Sequence, residues 1–393
     1  MSDYNFDAVI ERKNTDCVKH DLLNPLFGRD DLIPMWVADM DFSVPSFVAI
    51  AIQKRAAHPV YGYSFRSDSY YEAIINWYRE RQNWYLEKDW IVFSPGVVPA
   101  LNMLVMACTR PGDKIIVQPP VYFPFFAAVE NHDRKLVYNE LKREGNRYYI
   151  DFEDLEKKAS EGARMLFLCS PHNPVSRVWS REELIQLSAI CVKHDILIVS
   201  DEIHSDLIFP GHVHVPLASI NETIASRTIT CVAPSKTFNL AGLSSSSIII
   251  PEKKIRKKFE SIVDKVHVGS GNIFGNVASE AAYRQGSEWL NALMNYLDGN
   301  FQLMKDYIDE NLPLVEMIIP EATYLVWLDF KETGFDSRQL RRFIREEARL
   351  ALNDGPMFGP GGDGYQRINI ACPRSKLILA MEQLKRAFDR IKS

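Results

Sequence analysis

Through its middle the chain alternates short apolar runs with longer amphipathic stretches. The runs at 90–93, 114–117, 136–140, 164–169, 196–200, 229–232 and 247–250 predict strands, and 97–109 reads as a helix following the first of them. Ser180, with Glu183 three residues later, predicts a helix start, because hydroxyl and carboxylate satisfy each other's free backbone N–H. Strands without polar alternation are buried on both faces, which points to a mostly parallel sheet covered by helices. The last hundred residues change character: a long helix near 288–311, a strand at 323–329, a helix at 337–348, a strand at 365–370 and a terminal helix at 376–391 predict a smaller α+β unit. The first 48 residues are irregular and turn-rich and are expected to pack against that unit. The expected division is a large α/β domain over 49–286 and a small α+β domain built from 1–48 and 287–393. Two domains suit 393 residues at about 100–200 residues per domain.

Composition narrows the function classes. The formal net charge is -5 and the sequence pI about 6.0, which argues against a nucleic-acid partner. The basic run Lys253, Lys254, Arg256, Lys257, Lys258 carries Ile255 and Phe259 at helical spacing and reads as the solvated face of an amphipathic helix. Six cysteines, with no CxxC pair, fit a reducing cytoplasm and give no sign of a metal site. The first fourteen residues contain no apolar core of a signal peptide, and no apolar run approaches the ~20 residues that span a bilayer.

Chemistry-bearing residues gather where strands end. Lys236, in Ala233-Pro234-Ser235-Lys236-Thr237-Phe238-Asn239-Leu240-Ala241-Gly242, follows a strand and so sits at the edge where α/β sheets bind ligands. Alone it would be an ordinary loop lysine. Asp201, in Ser200-Asp201-Glu202-Ile203-His204, ends a buried strand and needs a partner there. The pyridinium nitrogen of pyridoxal 5′-phosphate (PLP) is one such partner; a helix cap or an ion pair is another. Asn173, in Ser170-Pro171-His172-Asn173-Pro174, donates to an aromatic oxygen or simply forms a turn. Gly96, Val97 and Val98 open a helix whose free N–H groups suit a phosphate. Tyr122 stacks on a flat ring or fills a core.

Together these segments resemble the fold-type I PLP enzymes, the aspartate aminotransferase superfamily, over essentially the whole length. Within that superfamily they are similar to the MalY/PatB-type cystathionine β-lyases, or C–S lyases. The narrower match rests on Pro34-Met35-Trp36-Val37-Ala38-Asp39-Met40-Asp41-Phe42, Tyr61-Gly62-Tyr63, Ser170 to Pro174, Asp201 to His204 and Ser235 to Gly242. The resemblance implies that Lys236 carries PLP as a Schiff base and that Asp201 pairs with the ring nitrogen. It places Asn173 at the ring oxygen O3′ and Tyr122 on the ring face. Gly96, Val97, Val98 and Ser235 would hold the phosphate. Arg367 would grip the substrate carboxylate, with Val37 and Ala38 in the pocket wall, although without the resemblance Arg367 reads as a surface arginine on an edge strand. Tyr61 would reach the site of a second copy in a homodimer. His204 stands where many aminotransferases have a tyrosine, and Ser244 where many have a phosphate-binding arginine; both departures resemble the lyase subgroup. The implied reaction is β-elimination from cystathionine, cysteine or another S-substituted cysteine. Transamination at the same site is the alternative, and a regulatory protein that retains PLP is a third reading.

Overall fold

The structure, a computed structural model, describes residues 4–392. Seven strands form one sheet: β1 (Ile91–Ser94), β2 (Lys114–Val117), β3 (Lys135–Tyr138), β4 (Ala163–Cys169), β5 (Leu197–Asp201), β6 (Thr228–Val232) and β7 (Ser246–Ile249). Their order is β1-β7-β6-β5-β4-β2-β3. All neighbours are parallel except β7, which runs antiparallel to both β1 and β6. An apolar run identifies a strand buried on both faces but not its direction, so β7 looked like the others in the sequence.

The register aligns the ends that matter. Cys169 pairs with Asp201, and Asp201 with Cys231, so β4, β5 and β6 finish side by side. Two apolar layers cover the sheet. One includes Leu101, Leu104, Phe125, Phe167 and Phe259, and the other Leu155, Leu166, Leu184, Leu187 and Trp179. The helix Arg181–Lys193 begins with the predicted capping box: Ser180 Oγ accepts from Glu183 N at 3.2 Å, and Ser180 N donates to Glu183 Oε2 at 2.7 Å. The basic run lies on the helix Lys253–Lys265, which buries Phe259 and Val263 and turns its lysines outward.

A second sheet contains β8 (Glu316–Met317), β9 (Leu325–Asp329), β10 (Asn353–Asp354) and β11 (Tyr365–Asn369), in the order β8-β9-β11-β10. β11 is therefore internal, with β9 on one side and β10 on the other. The single helix expected at 337–348 is instead an α-helix, Ser337–Arg342, followed by a wider π-turn, Phe343–Glu347, that buries the consecutive Phe343 and Ile344. The helix Arg374–Lys392 packs on the helix Ser287–Asn311. One continuous apolar cluster contains Trp77, Phe238, Ala282, Trp289 and Leu290, and so runs through the expected boundary at 286.

The N-terminal segment is tied in by charge. Asp41 accepts from Lys19 Nζ at 2.9 Å, Lys376 Nζ at 2.6 Å and Arg12 Nη1 at 2.7 Å. Burial alone would push the Asp41 carboxyl up, but Lys19, His20 and Lys376 hold it well below the usual carboxylate range. Ile33–Pro34 also pairs, in parallel, with Leu350–Ala351.

Arg177 joins the two sheets. Its guanidinium donates to both carboxylate oxygens of Glu183 (2.8 and 2.9 Å), to Glu321 just before β9, and to the Tyr148 carbonyl at 2.8 Å. Removing one side of a buried ion pair strands its partners. Arg177→Met is therefore expected to lower stability by about 3–5 kcal/mol, measured as a lower denaturant midpoint at unchanged slope.

Candidate active site

A cavity of about 210 Å³ opens where β4, β5 and β6 end, and is lined by Ala38, Gly96, Val97, Val98, Tyr122, Asn173, Asp201, His204, Ser235 and Lys236. Ten of the thirteen residues singled out from the sequence thus meet in one place. Ser244, Ser245, Cys169 and Ala241 line it as well.

Each group arrives on a different element. Asp201 is the last residue of β5 and is 3% exposed. Its Oδ1 accepts a single hydrogen bond, from Ile203 N at 3.2 Å, and among the described residues it has no ion-pair partner. Burial pushes its carboxyl up to about 7, against the opposing pull of that N–H and of Lys236. Lys236 sits in the one-turn helix Pro234–Thr237 directly after β6. Its Nζ donates to the Ala38 carbonyl at 2.7 Å. Burial, aided by the positive charge of Arg367, pushes the amine down to about 8, while Asp39 and Asp201 oppose the shift. An amine in that range is partly neutral near neutral pH and so can serve as a base.

Asn173 closes the loop after β4. Its Oδ1 accepts from Arg367 Nη1 at 2.9 Å, which leaves the amide NH₂ as its free donor. His204 is buried, its Nδ1 has no hydrogen-bond partner, and its ring is held far below its ordinary value by burial and by Lys236. It therefore lines the cavity as a neutral imidazole. Burial, together with the charge on Asp201, pushes Tyr122 up to about 12, so its hydroxyl stays protonated. The helix Val97–Cys108 starts at the cavity, and no side chain caps its first turn. Its first N–H groups are free to meet an anion, which the helix dipole also favours.

The other three residues lie elsewhere. Arg367 is on β11 and only 3% exposed, which corrects the edge-strand reading: β10 covers the side that the sequence left open. It stands behind Asn173 and also donates to Asn353 Oδ1 at 2.6 Å and the Trp36 carbonyl at 3.2 Å, with its Nε unpartnered. Val37 contributes its carbonyl to Asn369 Nδ2 at 2.7 Å. Tyr61 lies on the surface outside the cavity, its hydroxyl on the Ala56 carbonyl at 2.7 Å and its ring against Phe274. Sequence reasoning missed Tyr324 and Asn369. Tyr324 Oη donates to the same Ala38 oxygen at 2.9 Å, and Asn369 Nδ2 bridges the Val37 and Asp39 carbonyls at 2.7 Å each. Both lie in strand-like runs of the second sheet with no local feature to mark them.

These residues fit PLP. Asp201 is a buried carboxylate without a counter-ion among the described residues, and would meet a protonated ring nitrogen. The uncapped helix start suits a phosphate, the Asn173 NH₂ a ring oxygen, and Lys236 a carbonyl carbon. Comparison with known proteins points the same way. A family model described as aminotransferase class I and II matches residues 31–384. The cystathionine beta-lyase PatB of Bacillus subtilis (strain 168) is 43% identical over 386 residues, covering 98% of this chain and 100% of that protein. Cystalysin from Treponema denticola, a structure containing PLP, superposes with TM-score 0.95 at 37% identity and 99% coverage of both chains. The PLP-bound C–S lyase from Staphylococcus hominis gives TM-score 0.92 at 36% identity, with 98% of each chain covered.

The raised Asp201 carboxyl carries a thermodynamic signature. With a folded value near 7 and an unfolded value of about 3.9, the folded chain binds more protons between those limits. The cofactor-free protein therefore loses stability as pH rises through that window. Asp201→Asn is expected to raise its melting temperature at pH 8 and to leave it nearly unchanged at pH 4, read by scanning fluorimetry; an equal shift at both pH values would contradict this.

Proposed function

Because the chain belongs to the class I and II aminotransferase family, we propose that it is a PLP-dependent carbon–sulfur lyase that eliminates a thiol from the β-carbon of an S-substituted cysteine such as cystathionine. The full-length likeness to a cystathionine β-lyase carries this reading. The departures from the aminotransferase pattern at His204 and Ser244 support it.

PLP supplies an electron sink for a carbanion at the substrate Cα. The chain supplies everything else. Arg367, a planar two-pronged donor, takes the substrate α-carboxylate and exchanges its contacts to Asn173 and Asn353 for charged ones. That anchor aims the α-C–H at the Lys236 amine. Lys236 Nζ accepts the α-proton, holds it against the Ala38 carbonyl, and passes it to the departing sulfur. Asp201 would hold a negative charge toward a protonated ring nitrogen of the bound cofactor. His204, uncharged, adds no competing cation beside Lys236. The enamine left behind hydrolyses to pyruvate and ammonia.

We also assign a homodimer in which Tyr61 reaches the phosphate end of the second copy's site. Val60, Tyr61, Tyr63 and Phe65 are 62%, 59%, 108% and 85% exposed, an apolar run that a second copy would cover. The free cysteines support a reducing compartment such as the cytoplasm, and no helix among the described residues is long and apolar enough to cross a membrane.

Incubation of the PLP-loaded protein with cystathionine and no keto acid is expected to release homocysteine and pyruvate in equal amounts over many turnovers, followed by thiol and lactate-dehydrogenase assays. Turnover that requires an added keto acid would establish transamination instead. A cofactor-loaded protein with no turnover would point to a regulatory role.

A further inference from the structure

The Ala38 carbonyl is the meeting point of three distant parts of the chain. It lies in the segment between Ile33–Pro34 and the helix Ser46–Ala56. It accepts Lys236 Nζ at 2.7 Å from the large sheet and Tyr324 Oη at 2.9 Å from the start of β9. A carbonyl oxygen has two lone pairs, and both are used.

Tyr324 has little freedom to do anything else. It is 1% exposed, and its ring meets the edge of His204 at 6.0 Å. The carbonyl is equally constrained, because Asn369 Nδ2 holds the oxygens of the residues on either side of Ala38, both at 2.7 Å. Two buried side chains of the second sheet thus fix the orientation of one peptide group under the catalytic lysine.

We propose that Tyr324 is a positioning residue for proton transfer by Lys236, acting through the Ala38 carbonyl. If the lysine amine is drawn toward the cofactor and away from Ala38, Tyr324 would be the remaining side-chain donor to that buried oxygen and would keep it in place. When the amine is freed, the second lone pair receives its N–H. The nitrogen lone pair is then turned away from Ala38 and toward the substrate. In the transfer the Cα–H bond breaks, an N–H bond forms on Nζ, and the electron pair left at Cα drives out the thiolate. The resulting ammonium, hydrogen-bonded to Ala38, returns the proton to sulfur. Without the tyrosine hydroxyl the peptide group loses its permanent anchor, and the amine must find its position on each turnover. This rests on the β-elimination reading above.

The test compares wild-type and Tyr324→Phe holoenzymes on cystathionine with hydrogen or deuterium at Cα. Phenylalanine keeps the ring and removes only the hydroxyl. kcat is expected to fall roughly tenfold, the scale of small misplacements of a reacting group. KM should be little changed and the deuterium effect on kcat larger. Cofactor content and its visible absorption should match wild type, as a purely structural loss would not allow. A second readout needs no turnover: after cofactor removal, recapture of PLP should be slower in the variant, because it too requires a placed amine. Asn369→Ala, which loosens the carbonyls on either side of Ala38, should give the same pattern. Unchanged kcat, isotope effect and recapture rate in Tyr324→Phe would overturn the proposal, as would activity lost only in proportion to lost cofactor. If wild type releases no thiol, the elimination reading fails, and the recapture rate alone decides the role of Tyr324.

Discussion

An amine and a carboxylate enclosed in one cavity, neither paired with the other, strain against their surroundings. Burial disfavours the charged form of each, so Lys236 is drawn toward the free amine and Asp201 toward the acid. A protein selected for stability alone would replace both. Keeping them costs stability in the empty site, and a cofactor with a cationic ring nitrogen and an electrophilic carbon would relieve both groups at once. The same burial leaves the freed Lys236 partly neutral and so available to take a proton.

The fold serves this arrangement by ending three parallel strands in register. β4 delivers Asn173, β5 delivers Asp201, and β6 delivers Lys236, while the helix after β1 turns its uncapped start to the same cavity. The second sheet supplies what the first cannot. Arg367 approaches from β11 and Tyr324 from the start of β9, and both connect to the segment 36–39 by its backbone carbonyls. That segment is irregular because its carbonyls serve side chains rather than a sheet partner. Asp41, held by Lys19, Arg12 and Lys376, anchors its far end.

The sheet and the primary site residues were legible because their signals are local. A buried strand shows as an apolar run, and a polar residue that ends or follows one needs a partner, whether a ligand, a cap, an ion pair or a turn. Asp201, Asn173, Lys236 and the Gly96 turn were singled out at or after strand ends, and the structure gathers them at one cavity. The direction of β7 was not legible, since parallel and antiparallel burial demand the same apolar residues. Read without the resemblance, Arg367 fell on an edge strand, because β10, a two-residue strand, leaves no pattern to read. Tyr324 and Asn369 act on consecutive carbonyls at 37–39, more than 280 residues away, and only tertiary packing brings them there. Tyr61 was legible as a motif, yet it lies outside the cavity of its own chain.

Lys236 is the lysine that lines the cavity, which assigns the cofactor to it. Reduction of the PLP-loaded protein with borohydride fixes the cofactor to whichever amine carries it, and mass spectrometry of a digest then locates it. One pyridoxyl group per chain, on the peptide containing Lys236, is the expected result. A label on another lysine, or spread over several, would contradict it.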